Sequence, residues 1–98
     1  MNYELKQGQA VFKGTLIEFS RVQGTSKKTN KDFDFVKFNV DVEMVDKDGR
    51  IYTRLCEFIA DPIVAGGQTF DKYKPVLMIF EITSPVTAPR LVKVIKEN

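Results

Sequence analysis

An all-β domain of five strands is what this sequence predicts, on three observations. The run 33–45 alternates cleanly, with Val36, Phe38, Val40, Val42 and Met44 opposite Phe35, Lys37, Asn39, Asp41 and Glu43, the period of a half-buried strand. Asp48-Gly49, a hairpin signal, separates it from a second strand-like run. The one connection long enough for a further element, 61–74, is interrupted by Gly66-Gly67, which removes the case for a helix there. With 98 residues, 43% of them hydrophobic and 11% aromatic, the chain forms one folded domain, 1–98, around a single modest core.

The first strand spans about 9–20 and carries Gly14 at its middle, where a glycine marks a bulge or sharp bend. The second spans about 33–45. A two-residue turn at 48–49 then pairs Val42 with Leu55 and Glu43 with Arg54 in the third strand, about 50–60. In that register Ile51, Leu55 and Ile59 face the core, and Tyr52, Arg54, Cys56 and Phe58 face outward. A loop one residue longer sets Arg54 against Val42, so the shorter loop is preferred. The fourth strand, Pro75 to Thr83, is apolar on both faces, as in a closed barrel, and the last runs from Arg90 to Lys96. A bent first strand, a hairpin between the second and third, and a long connection before the fourth fit the five-stranded oligonucleotide-binding (OB) Greek-key barrel, with an extended basic loop between the first two strands. An SH3-like barrel is the competing five-stranded fold.

Composition excludes several activities. There is no histidine, so the commonest general base and the commonest metal ligand are missing together. The single cysteine, Cys56, forms no internal disulfide and belongs to no metal motif, and packing is its expected role. No paired-acid or phosphate-loop motif is present, and the expectation is a protein that is not an enzyme and takes no cofactor, metal or small-molecule substrate. No apolar run reaches the roughly 20 residues of a membrane span, and Met1-Asn-Tyr-Glu-Leu-Lys lacks an apolar leader core, so a cytoplasmic location is expected.

The net charge of +2 says little, but its distribution says more. From Arg21 to Lys31 there are four cations and no acid, whereas 41–48 holds four acids against one lysine. That layout predicts one basic site and one surface kept away from phosphate. The basic segment, rich in Gly, Ser, Thr and Asn, runs directly into a strand bearing Phe33, Phe35 and Lys37. Arg21, Lys27, Lys28 and Lys31 are candidate phosphate contacts, with Thr25, Ser26, Thr29 and Asn30 as hydrogen-bond donors or turn formers. Phe35, Lys37 and Phe58 form the predicted stacking platform on the outward face, and Tyr73, between Lys72 and Lys74, is a second aromatic–basic cluster. Aromatic faces beside cations hold single-stranded nucleic acid with little regard to sequence.

Three features together resemble the small OB-fold single-stranded-DNA-binding proteins of phages and mobile elements, particularly the filamentous-phage type. They are Gly24-Thr-Ser-Lys-Lys-Thr-Asn-Lys-Asp-Phe33, similar to a basic glycine-containing loop ahead of an aromatic strand; the hairpin of the second and third strands; and the closing Ala88-Pro-Arg-Leu-Val-Lys-Val. The resemblance implies a homodimer that coats single-stranded DNA cooperatively during replication, with Arg21, Lys27, Lys28, Lys31 and Phe35 matching the loop and the aromatic after it. Two departures matter: the hairpin tip Asp46-Lys-Asp-Gly49 is acidic, which stands against a shared dimer or DNA-contact arrangement there, and Val94-Ile-Lys-Glu-Asn98 lacks the long acidic tail of the bacterial chromosomal single-strand binders, so no tail-recruited partner is expected. Single-stranded RNA suits the same platform, since nothing in it reads a 2′-hydroxyl. A different class of reading is a non-catalytic β-barrel adaptor that binds protein partners through Phe35, Phe58 and Cys56.

Overall fold

The computed structural model describes residues 4–97. Met1, Asn2, Tyr3 and Asn98, which belong to the start and close read above, lie outside that range. Five antiparallel strands, β1 (Gln9–Thr25), β2 (Asp32–Val45), β3 (Ile51–Ala60), β4 (Pro75–Glu81) and β5 (Arg90–Lys96), form one sheet in the order β3-β2-β1-β4-β5. Apart from one 3₁₀ turn, Pro62–Ala65, no helix occurs among the described residues, and none is long and apolar enough to cross a membrane.

β1 organises the sheet because it pairs on both sides. Its first half pairs with β4 and its second with β2, and Gly14 is opposite Val42 on one side and Val76 on the other. A Cβ at Gly14 would stand 2.6 Å from Val40 Cγ1 and 2.8 Å from the Asp41 carbonyl oxygen, so the strands approach here as only glycine permits. The bulge expected near this point lies slightly later, as a register shift between Leu16 and Glu18.

The alternation of β2 is realised as read. Val36, Phe38, Val40 and Val42 are buried on the inner face with Leu16, Val76, Met78 and Val94. Phe38 is completely buried, which stabilises the fold by roughly 1.5–3 kcal/mol. Phe19 stands 4.9 Å from it and Phe70 meets it edge-on at 5.5 Å. The 3₁₀ turn, capped by Asp61 Oδ1 accepting from the Ile63 N–H at 3.0 Å, lays Val64 and Ala65 into this core beside β2 and β5.

Two expectations are corrected. The sheet does not close into a hydrogen-bonded barrel: no ladder joins β3 to β5, and their edges face each other across a groove of about 560 Å³ lined by Phe58, Ala60, Val64, Phe80 and Leu91. The hairpin register is also the one set aside above, with Val42 opposite Arg54 and Asp41 opposite Leu55. The reason is the turn. Asp46 Oδ1 accepts from the Asp48 and Arg50 N–H groups at 2.9 Å each, the Gly49 N–H donates to the Asp46 carbonyl at 3.0 Å, and Gly49 takes a left-handed φ of 82°. This is a three-residue loop ending in a glycine bulge, not a two-residue turn. The slip of one residue turns every side chain of β3 over. Tyr52, Arg54, Cys56, Phe58 and Ala60 share the inner side with the β2 core, and Ile51, Leu55 and Ile59 point outward with 73%, 63% and 61% of their surface exposed.

Candidate nucleic-acid interface

The basic segment is a β-ribbon rather than a loop. β1 continues to Thr25 and β2 starts at Asp32, paired throughout as Arg21↔Val36, Val22↔Phe35, Gly24↔Phe33 and Thr25↔Asp32. The tip is closed by the Ser26 N–H donating to the Lys31 carbonyl at 2.9 Å and the Asn30 N–H donating to the Ser26 carbonyl at 2.8 Å, with Asn30 left-handed at φ 56°. Asparagine tolerates that backbone because its side chain is short and polar. Lys27, Lys28 and Lys31 are exposed at this tip, and among the described residues none of them joins an ion pair.

Alternation gives the ribbon two unlike faces. On the outer one, Phe33 and Phe35 stand 6.1 Å apart at an interplanar angle of 32°, next to Val22 and Gly24. Gly24 makes room for the first ring: a Cβ there would lie 2.7 Å from Phe33 Cζ. Lys37 continues this face, with Ser20 opposite on β1 and Ile59 opposite on β3. On the inner face, Thr25 Oγ1 donates to Asp32 Oδ1 at 2.7 Å, and Arg21 donates from Nε and Nη2 to the two oxygens of Asp34 at 2.9 and 2.6 Å. The Arg21 hydrogen bonds hold the Asp34 carboxyl below the usual carboxylate range, and Asp34 in turn raises the guanidinium. Arg21 thus braces the ribbon, its bidentate geometry already satisfied by a carboxylate.

The structure therefore gathers Phe35 and Lys37, with Phe33, on one face and places Lys27, Lys28 and Lys31 beyond them. Arg21 lies on the opposite side. Phe58 is removed from the platform by the β3 register: it is paired with Phe38 on the inner face and packs against Phe80 at 5.6 Å. Ile59 takes the position beside Lys37 that the shorter hairpin loop gave to Ala60. Cys56 is likewise inward and half-buried, packed against the core, so Phe35, Phe58 and Cys56 do not form a common outward patch.

Tyr73 is separate from the ribbon. It is 71% exposed in a left-handed turn at φ 64°, and its N–H donates to the Leu16 carbonyl at 2.6 Å. Leu16 is six residues before Val22 on β1, about 20 Å of strand away from Phe35. Phe70, which the sequence reading passed over, lies near it: its ring packs on Phe19 and Phe38, Lys96 Nζ stands 5.8 Å from its centroid, and with Lys74 it lines a recess of about 360 Å³ at that end of the sheet. Its only sequence signal was its position three residues before Tyr73. No group of three or more His, Cys, Asp or Glu side chains comes together among the described residues.

Comparison with protein-family models, with curated proteins and with solved structures yields no match for this chain.

Proposed function

We propose that this protein binds single-stranded DNA without sequence preference, using the β1–β2 ribbon and the outer face of β2. One observation carries the reading: exposed Phe33 and half-buried Phe35 and Lys37 lie in line on the outer strand face, which ends in three exposed lysines. Bases stack on the two rings, each stack contributing about 1–3 kcal/mol, while the lysines meet phosphates and release counterions. The aromatic face needs separated bases, so duplex is disfavoured. The Arg21–Asp34 pair keeps the ribbon straight and leaves the aromatic side open. Tyr73 and Phe70, beside the middle of β1 about 20 Å from Phe35, extend the strand path along the sheet.

The OB Greek-key barrel is the finer fold reading we attach to this function. Read around the sheet, the strands run β1-β2-β3 on one side and β1-β4-β5 on the other, the OB order with its β3–β5 seam open. In that fold the outer face of the second and third strands and the loop after the first form the ligand surface, which here is the ribbon and Phe35. A host-cytoplasmic role in phage or mobile-element DNA replication follows from the resemblance above and belongs to the same proposal, as does acceptance of single-stranded RNA.

The test is titration of a fluorescent oligo-dT of about 30 nucleotides at low and moderate salt, with duplex of equal length as competitor. Salt-sensitive binding that duplex does not displace is expected, and simultaneous Lys27→Ala, Lys28→Ala and Lys31→Ala substitution weakens it. Absence of binding at low salt, or equal competition by duplex, overturns the reading.

A further inference from the structure

We infer that the outer face of β2 and β3, toward the 46–50 hairpin, is a docking surface for a cationic, amphipathic segment of another protein. The one-residue slip of β3 creates it. Alternation sets Asn39, Asp41, Glu43 and Val45 of β2 outward, in the cross-strand pairs Asn39↔Glu57, Asp41↔Leu55, Glu43↔Thr53 and Val45↔Ile51. Val45, Ile51 and Leu55 have 65%, 73% and 63% of their surface exposed. Val45 and Ile51 stand directly opposite each other, and Leu55 follows Ile51 on the same side about 13 Å along the strand. The solvated face of an antiparallel sheet ordinarily carries polar side chains at such positions. Large apolar groups at three of them mark a surface stabilised by being covered.

The acids decide what covers it. Asp41 and Glu43 flank the apolar groups on β2, Glu57 lies on β3, and Glu18, opposite Asn39, lies on β1. None of the four joins an ion pair among the described residues. The outward positions of β2 and β3 beyond Lys37 hold no cation, and Lys13, on the nearby part of β1, is engaged by Glu97 at 3.7 Å. Nucleic acid and an anionic lipid surface are repelled by this charge, and a second copy laid face to face would bring two sets of four acids together. A protein segment whose cations flank an apolar stripe meets both features at once. Its stripe covers Val45, Ile51 and Leu55, and its cations meet the carboxylates. The face begins past Lys37, away from Phe33 and Phe35, so this contact does not depend on the single-strand reading.

The test uses the full chain without nucleic acid and a fluorescent synthetic peptide of about 18 residues, long enough to form a helix, with a Leu stripe flanked by Lys. Anisotropy should show saturable binding that weakens with salt. The same peptide with Glu in place of every Lys should not bind. Leu55→Ser, at an exposed position, should weaken binding by about tenfold, and Asp41→Asn with Glu43→Gln by roughly threefold. Simultaneous Lys27→Ala, Lys28→Ala and Lys31→Ala substitution should leave the peptide affinity unchanged, so failure of the oligo-dT reading and failure of this one are told apart. Methyl NMR should place the shifts at Val45, Ile51 and Leu55. Absence of saturable binding, equal binding of the Glu peptide, indifference to Leu55→Ser, or shifts confined to the ribbon overturns the inference. Self-association of the parent chain through Leu55 overturns it too, by making a second copy the occupant.

Discussion

Arg21 and Phe35 are two residues of one ribbon doing different jobs on opposite faces. Arg21 is held by Asp34, whose carboxyl is depressed chiefly by the Arg21 hydrogen bonds. A depressed acid stabilises the fold above its unfolded pKa, near 3.9, and loses that contribution as pH falls through the lower folded value. In Arg21→Gln the Asp34 carboxyl should therefore titrate at higher pH than in the parent chain, read directly by carbon NMR, and the ribbon should open at a less acidic pH. Phe35 and Phe58 make the complementary contrast. Phe35→Ala should weaken oligo-dT binding roughly 5- to 150-fold, as loss of one stacked base predicts, with little change in melting temperature. Phe58→Ala should do the reverse, costing roughly 2–3 kcal/mol of stability because its ring packs on Phe80 beside the core, and leaving affinity in the remaining folded protein near that of the parent. Thermal melts and titrations on the two variants separate the roles.

Among the elements, β2 was legible and β3 was not, for a physical reason. β2 has a face of five apolar residues against a face with three charges, so only one orientation buries it well. β3 is Ile-Tyr-Thr-Arg-Leu-Cys-Glu-Phe-Ile-Ala, with large apolar groups on both sides, and the turn rather than the pattern decides its face. Asp48-Gly49 serves a two-residue or a three-residue loop equally well, and what selects the longer one is Asp46, whose carboxylate accepts two N–H groups within the turn. The ribbon was misjudged for a related reason: Gln23-Gly24-Thr25 looks like a loop, but its cross-strand partners Asp34, Phe33 and Asp32 hold it as strand. β5, by contrast, falls at Arg90–Lys96 as its composition indicates. Both glycines that set element geometry give testable costs. Gly49→Ala forces an alanine to φ 82° and should cost about 1–2 kcal/mol. Gly14→Ala drives a methyl into Val40 and the Asp41 backbone and should cost about 1–3 kcal/mol. Each kcal/mol lowers the melting temperature by about 4–8 °C in a domain of this size, which calorimetry resolves.

At the scale of the whole molecule, shape and charge separate one end from the other. The chain measures 49 × 33 × 25 Å with a radius of gyration of 14.9 Å, against about 12.6 Å for a compact domain of its length, because the ribbon stands out from the sheet. The ribbon tip carries Lys27, Lys28 and Lys31 with no acid, while the far part of the β2–β3 surface carries Asp41, Glu43 and Glu57. A net charge of +2 would give little attraction if it were spread evenly, so binding must come from the tip and must be local. For single strands the logarithm of affinity falls with the logarithm of salt by about 0.7 for each phosphate neutralised. Removing the three tip lysines should accordingly flatten that slope by about 2, whereas Phe35→Ala should lower affinity at every salt concentration and leave the slope unchanged. Asp41→Asn and Glu43→Gln should leave both the slope and the affinity close to those of the parent, since these groups lie beyond Asn39, away from the rings. Salt titrations of these variants on one oligo-dT therefore locate the phosphate contacts and the stacking contacts independently. A slope unchanged by loss of the lysines would move the phosphate path off the ribbon tip, to the Lys74 and Lys96 end of the sheet.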